Sequence, residues 1–520
     1  MKNIIKGIAL TGVAALALTA CQKEYLDTKP EDSVAPATIF ETTENAKLAI
    51  NGIAKMMTSQ YLGSQGMNGE GTIKTWYGNY PGNDFQKCNL TGWSSIINGA
   101  DNYRKSATTS YGVYPWFYYY KLIGNVNTII VNIDNAAGSE AEKAFIKAQA
   151  LTYRAYSYFM LSQLYCRRWV DTNNGEDKDG LPLRLDNSTG DLALSTVGQV
   201  YRRIYTDLDS AIILFNESKM DRGADEFYLP NIDVANAVWA RAALTREDWA
   251  TAAEKAKAAR ANYSLMSSAQ YHSGFNTPND EWIWGVYEAD DQTLYYYSYF
   301  AYQGANSSAS ICRSYPCAIS KELYDQIPDT DTRKDLFLAP TAEELADSKY
   351  TASSGRSTGL LYNRAFAEYG NKLYETSYVF AYMQFKQLAS FMPGGGCFHL
   401  FRAAEMYLTE AEADCHLGKD AEAQKLLQQV NANHDASYTC AKTGAALLEE
   451  VKLYRRFDLW GEGNDWYDYK RWNQPIVRKS AANGGSFHQT FAITVGLKDS
   501  NEWRWTIPQK ETDYNKLIVR

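Results

Sequence analysis

Residues 139–165 read SEAEKAFIKAQALTYRAYSYFMLSQLY, and their spacing decides the fold class. Ala144, Ala148, Leu151, Ala155 and Tyr158 or Phe159 recur at helical intervals, which predicts a long helix with a small, apolar face that can pack closely on a neighbour. Outward from it, Asp233–Leu244 and Trp249–Ala261 predict two more helices joined at Thr245-Arg246-Glu247-Asp248. Thr245 is placed to cap the second of them and Asp248 to reach back. So short a turn makes the pair antiparallel. Leu400–Leu417 and Ala421–Val430 repeat the plan around Gly418, which suits the left-handed position past a helix end. Tyr114–Ile133 and Thr196–Phe215 supply further helices. The expectation is a mainly α fold in which tetratricopeptide-like helix pairs form a scaffold over approximately 37–60, 114–261 and 399–475. Long irregular insertions with a few short strands, at approximately 61–112 and 262–398, interrupt it. Insertions of that length usually carry function, so a ligand face is expected there.

The N-terminus reads as a lipoprotein signal peptide, residues 1–20. Lys2 and Lys6 provide positive charge, Ile8–Ala20 is an apolar run, and Leu18-Thr19-Ala20-Cys21 fits a lipobox. The run is shorter than the ~20 residues a spanning helix needs. Cleavage before Cys21 would expose a cysteine for acylation, and two or more acyl chains hold a protein on its membrane. Cys21 is thus the expected lipidation site.

Formal net charge is −8, and loss of Lys2 and Lys6 makes it −10, which disfavours nucleic acid as a partner. Seven cysteines besides Cys21 do not resemble a disulfide framework. Only Cys312 and Cys317 are near neighbours, and a local disulfide between them stays open. The chain holds 39 Tyr against 13 Trp and 19 Phe, so its rings are mostly the kind with a polar edge, suited to half-wet recognition surfaces.

Four blocks in order resemble the SusD/RagB family of outer-membrane nutrient-uptake lipoproteins. Cys21-Gln22-Lys23-Glu24-Tyr25-Leu26-Asp27 with Pro30 is similar to the family's mature N-terminus. Arg154-Ala155-Tyr156 followed by Leu181-Pro182-Leu183 matches its second helical block. Leu459, Glu462-Gly463, Asp468 and Lys470-Arg471-Trp472 resemble its C-terminal signature, and Trp505–Glu511 its closing Ile-Pro block. Tyr454 and Asp458 stand where the signature usually has Glu, and Asp465 where it often has a basic residue, so the salt bridges at those sites are not carried over. The resemblance implies one SusD-like domain over 21–520 that binds oligosaccharide, or in the RagB branch peptide, and delivers it to a TonB-dependent transporter of the SusC type. It also implies an outer-membrane, surface-facing protein held by lipid at Cys21.

Sugars present apolar C–H faces ringed by hydroxyls, so a binder needs several flat rings beside amides and carboxylates. Trp76, Tyr77, Asn83, Asp84, Trp93, Asn98, Asp101 and Tyr103 supply both within one insertion, with loop packing as the alternative use. Tyr295, Tyr297 and Tyr299 alternate, which in a strand places them on one face, either wet or part of a two-sided core. Trp282 and Trp284 read as core, as do Tyr118–Tyr120.

Gly355-Arg356-Ser357-Thr358-Gly359 matches a nucleophile elbow, but no apolar strand precedes it and it reads as a turn. Asp331-Thr332-Arg333 is similar to a structural turn of the family. No metal-ligand, phosphate-loop or dinucleotide motif appears, so no cofactor, metal or catalytic residue is expected. An anchored hydrolase is the remaining, less favoured reading. The Cys21→Ala precursor should be shed in soluble form, which membrane fractionation checks; a variant still on the membrane would refute the anchor.

Overall fold

The computed structural model describes residues 39–60, 67–88, 104–170, 179–289, 298–496 and 503–519. The predicted helices are present with shifted ends. They are α1 (Thr43–Met56), α2 (Ser110–Asn132), α3 (Glu140–Tyr165), α4 (Val197–Ser218), α5 (Ile232–Thr245) and α6 (Trp249–Ala259). After α7 (Leu360–Tyr369) within the second insertion come α8 (Ala403–His416), α9 (Asp420–Asn431), α10 (Gly444–Asp458) and α11 (Asp465–Arg471). Successive helices pack on one another from α2 to α6, then α6 against α8 and α8 against α9 and α10. No helix among the described residues is long and apolar enough to cross a membrane.

The small face of α3 is buried as its spacing required, with Ala148, Ala155 and Tyr158 fully enclosed. Arg154 adds a polar clasp to this packing. Its guanidinium takes Asp207 of α4 bidentately at 2.7 and 2.8 Å and donates to Asn127 of α2 at 2.9 Å, joining three helices. Ser139 and Glu142 cap α3 reciprocally, and Lys47 of α1 reaches Glu142 at 2.9 Å.

Two expected helix ends are corrected. Asp248, not Thr245, caps α6 by accepting from the Thr251 N–H, while the Thr245 hydroxyl donates back to the Arg241 carbonyl within α5. Residues 398–402 are not helical. Phe398–Arg402 forms β7, antiparallel to β2 (Trp282–Val286), with Trp282 opposite Arg402. Gly418 does take the left-handed conformation, at φ 71°.

Nor are the insertions merely irregular. Ile73–Asn79 forms a buried π-helix, and Gly78 is required there because a Cβ would lie 2.2 Å from the Gly463 carbonyl oxygen. β1 (Phe85–Lys87) pairs with β3 (Cys317–Ile319). A three-stranded sheet of β4 (Tyr350–Thr351), β5 (Arg356–Ser357) and β6 (Val379–Phe380) packs with α7 over a second apolar core that includes Leu338, Leu361, Met383 and Phe385. Short β8 (Ile476–Val477) and β9 (Thr494–Val495) pair near the C-terminus.

A fully buried ion network fastens these insertions to the scaffold. Arg402 of β7 donates from Nε and Nη2 to Glu462 at 2.8 Å each, from Nη1 to Glu281 at 2.6 Å, and also pairs with Asp458 at the end of α10. Arg333 binds the other oxygen of Asp458 at 3.0 Å while clasping Asp331, so Asp331-Thr332-Arg333 is the structural turn expected. Lys386 donates to Glu462 at 2.6 Å. Asp458 thus makes strong ion pairs where the sequence departs from the family signature.

Burial pushes the carboxyls of Glu462 and Asp458 upward, but the surrounding Arg402, Lys386 and Arg333 outweigh it and hold both below the ordinary range. A carboxylate whose folded value is depressed contributes stability above its unfolded pKa and loses it as pH falls through the folded one. Acidification below roughly pH 5 should therefore destabilise the chain. Glu462→Gln strands buried cations and should cost about 3–5 kcal/mol at neutral pH, with a flatter acid limb in urea titrations. An unchanged midpoint would mean that the network is dispensable.

Candidate functional site

Four of the residues expected to meet ligand are interior. Trp76 is 2% exposed and sits edge-on to Tyr302, with centroids 5.4 Å apart. Tyr77 has a backbone task. Pro115 lies inside α2 and has no N–H to offer the Tyr111 carbonyl, and the Tyr77 hydroxyl donates to that carbonyl instead, at 2.5 Å. One residue on, the Tyr165 hydroxyl accepts from the Trp116 N–H and donates to the Gly112 carbonyl, both at 3.1 Å. The two phenols together repair the helix that proline interrupts.

Asp84 is buried and held bidentately by Arg456 at 2.7 and 2.8 Å. Asn83, half-buried, joins Asp84 to the Val477 N–H. Tyr299 lies in the helical turn Tyr299–Gln303 and not in a strand; its ring stacks on Phe398 at 4.5 Å and its hydroxyl donates to the Gly461 carbonyl. Trp76, Tyr77, Asp84 and Tyr299 are corrected to packing residues, because their polar atoms are committed within the protein or their rings are enclosed. Cys21, Trp93, Asn98, Asp101, Tyr103, Tyr295 and Tyr297 lie outside the described residues.

A second buried carboxyl stands within the first insertion. Glu70 accepts from the hydroxyls of Tyr118, Tyr119 and Tyr156 at 3.0, 3.3 and 2.7 Å. Burial raises it to about 7, against the pull of those three phenols. It lines a small cavity of about 30 Å³, room for a water and not for a ligand.

The insertions do meet around a groove of about 200 Å³. Gln86 and Cys88 at the end of β1, Lys321, Tyr350 of β4, Tyr382, Ser486 and His488 line it. Ser486 links its parts: its Oγ accepts from Gln86 Nε2 at 3.1 Å and from the Lys321 N–H at 2.9 Å. Tyr382 is held in the left-handed region at φ 63°, a conformation that costs a non-glycine residue energy and recurs at binding sites. Its ring packs against Tyr324 at 5.4 Å. Tyr350 and Tyr382 are half-buried, and their hydroxyls have no hydrogen-bond partner among the described residues. Half-exposed phenols beside an amide, a hydroxyl, an imidazole and an ammonium can offer flat faces and neutral hydrogen bonds together. No carboxylate lines the groove among the described residues.

Sequence reasoning missed Tyr350, Tyr382 and His488. They stand 32 and 106 positions apart, and although Tyr382 falls in an aromatic run with Tyr378 and Phe380, nothing local ties that run to Tyr350 or His488.

The turn reading of Gly355–Gly359 holds in part: Gly355, left-handed at φ 76°, lies in the turn between β4 and β5, but Arg356 and Ser357 form β5 itself, with Ser357 accepting from the Gly359 N–H. Cys312 and Cys317 are free thiols.

Fold and groove define a helical-repeat scaffold carrying a loop-built face suited to small polar ligands. The sequence profile described as SusD family matches residues 249–520, more than half of the chain, and one described as starch-binding associating with outer membrane matches 24–244. The chain belongs to the SusD family. Among solved structures it is similar to a SusD-like carbohydrate binding protein from Bacteroides vulgatus, at 23% identity and TM-score 0.73, over 92% of this chain and 98% of that one. A SusD superfamily protein from Bacteroides thetaiotaomicron aligns at 22% identity and TM-score 0.72, over 92% and 99%. Surface glycan-binding protein A from Bacteroides thetaiotaomicron, in complex with laminarihexaose, aligns at 16% and TM-score 0.65, over 92% and 99%. At these identities the likeness is one of fold. No curated protein matches the chain.

Trp76→Ala should lower stability by about 3–5 kcal/mol, as Trp284→Ala should, since both rings are enclosed core. Thermal melts check this, and an unshifted melt for Trp76→Ala would return that ring to the ligand face.

Proposed function

We propose that this protein is a non-catalytic glycan-binding lipoprotein of the cell surface. Anchored to the outer membrane through Cys21, it captures oligosaccharides and passes them to a separate TonB-dependent transporter of the SusC type. The observation that carries the reading is the groove in which Tyr350 and Tyr382 present half-exposed rings beside Gln86, Ser486 and His488. Phenol faces meet sugar C–H surfaces, and the neutral donors and acceptors meet hydroxyls. The absence of a carboxylate pair across the described lining favours binding over hydrolysis, since glycoside cleavage needs two.

Family membership supports the ligand class, and the charge and lipobox of residues 1–21 support the anchor. Trp93, Asn98, Asp101 and Tyr103 follow Cys88 of the groove closely in sequence, and with Tyr295 and Tyr297 they keep their proposed role as further ligand contacts. The barrel is a separate chain in this reading, because a lipid-crossing sheet must close on itself and paired helices cannot supply one.

A glycan array probed with residues 22–520 should give a hit, and Tyr350→Ala should weaken it by about 1–3 kcal/mol, the scale of flat-face stacking, in isothermal titration. Saturable peptide binding with a blank array would transfer the protein to the peptide-binding reading. Sugar released from the array ligand would make it a hydrolase.

A further inference from the structure

Beside the groove lies a second chemical feature that ligand binding does not use. Cys312 sits on the short helix Ser310–Arg313, and Cys317 opens β3, with only Arg313-Ser314-Tyr315-Pro316 between them. Both side chains are buried and point into one spot. Cys312 Sγ lies 3.1 Å from the Gly304 carbonyl and Cys317 Sγ 3.3 Å from the Tyr302 carbonyl, two residues away. Lys87, opposite Cys317 in the β1–β3 pair, brings its Nζ to 3.4 Å from Cys317 Sγ and 2.7 Å from the Tyr302 carbonyl.

We propose that Cys312 and Cys317 are a disulfide-forming pair, oxidised by a low-molecular-weight disulfide as the chain folds, and that the bond locks one wall of the groove. An ammonium beside a sulfur favours the thiolate, which is the attacking form. Burial alone would push Cys317 up, but the hydrogen bond from Cys312 and the Lys87 ammonium bring it down to about 7. Cys312 is driven the opposite way by that same hydrogen bond and by burial. The pair therefore divides into an attacker and a resolver.

In the first step the Cys317 thiolate attacks the small disulfide, forming a mixed disulfide and expelling one thiolate. In the second, Cys312 gives up its proton and its sulfur attacks Sγ of Cys317, expelling the other thiolate. Two S–H bonds are lost and one S–S bond forms; the two electrons and two protons end on the reagent's two thiols. Both sulfurs are enclosed in the folded chain, so the exchange belongs to the last stage of folding, once β1 has paired with β3 and Lys87 stands beside Cys317 but before the site closes.

The consequence falls on the groove. Cys317 opens the strand whose partner carries Gln86 and Lys87, and Cys88 follows on from it by donating its N–H to the Pro316 carbonyl at 2.8 Å. A bond to Cys312 removes slack from that wall whatever the groove binds, so the inference does not depend on the glycan reading.

The test refolds the urea-unfolded chain in mixed oxidised and reduced glutathione, followed by alkylation and mass mapping. Tryptic cleavage after Arg313 separates the two cysteines, so the bond would hold two peptides together until reduction. The expected result is that linked pair in wild type and in Cys88→Ser, its loss in Cys312→Ser, and a melting temperature about 2 °C above that of the reduced protein. Two fully alkylated thiols in wild type would overturn the proposal, as would a linked peptide that contains Cys88.

Discussion

Everything on the insertion face depends on the charge cluster around Arg402. One guanidinium, fully enclosed, meets three carboxylates from two distant parts of the chain: Glu281 ahead of β2, and Asp458 and Glu462 at the end of α10 and in the turn beyond it. Burying so many charges is costly unless each finds partners, and here Arg402 finds a carboxylate for each of its three nitrogens. The Glu462-Gly463 turn then extends the constraint. The Gly463 N–H donates to Asn79 at 2.7 Å, and Asn79 donates to the Gly461 carbonyl at 2.9 Å, so the first insertion is fastened to the same turn. The helical scaffold itself rests on apolar packing between small faces, with Arg154 as its polar clasp.

The groove follows from that fastening. Once Asp84 is held by Arg456 and β1 by β3, the end of β1 must face the β4–β5 hairpin and residues 486–488. Ser486 bridges Gln86 and Lys321, so the lining polar groups are set before any ligand arrives. Preorganisation of that kind lowers the ordering cost of binding. Tyr382 is kept in a left-handed conformation with its ring backed by Tyr324, which fixes the direction in which it points.

Aromatic content misled where it was locally dense. Trp76 and Tyr77 stand in a stretch rich in glycine, asparagine and serine, which has the composition of a surface loop, yet they are enclosed. The reason is a distant one. Pro115 leaves a carbonyl of α2 without its helical donor, and Tyr77 is the side chain that supplies it. No periodicity in residues 61–112 encodes a partner in α2. The same holds for Tyr299, which a period-two pattern assigned to a strand face and which instead turns inward onto Phe398.

What the sequence determined by itself is what local physics encodes. Apolar spacing placed the paired helices to within a few residues and Gly418 marked a helix end by its conformational freedom, while Trp282 and Trp284 were legible as core from the likeness of their run to a strand of the family. The four motif blocks indicated the family. Tertiary structure alone decided which polar residues meet. Arg402 and Glu462 are 60 positions apart, and Tyr350 and His488 are 138 apart. Pairings over such separations are set by how elements pack, and a charge or a ring looks the same in sequence whether it will be enclosed or left at a surface.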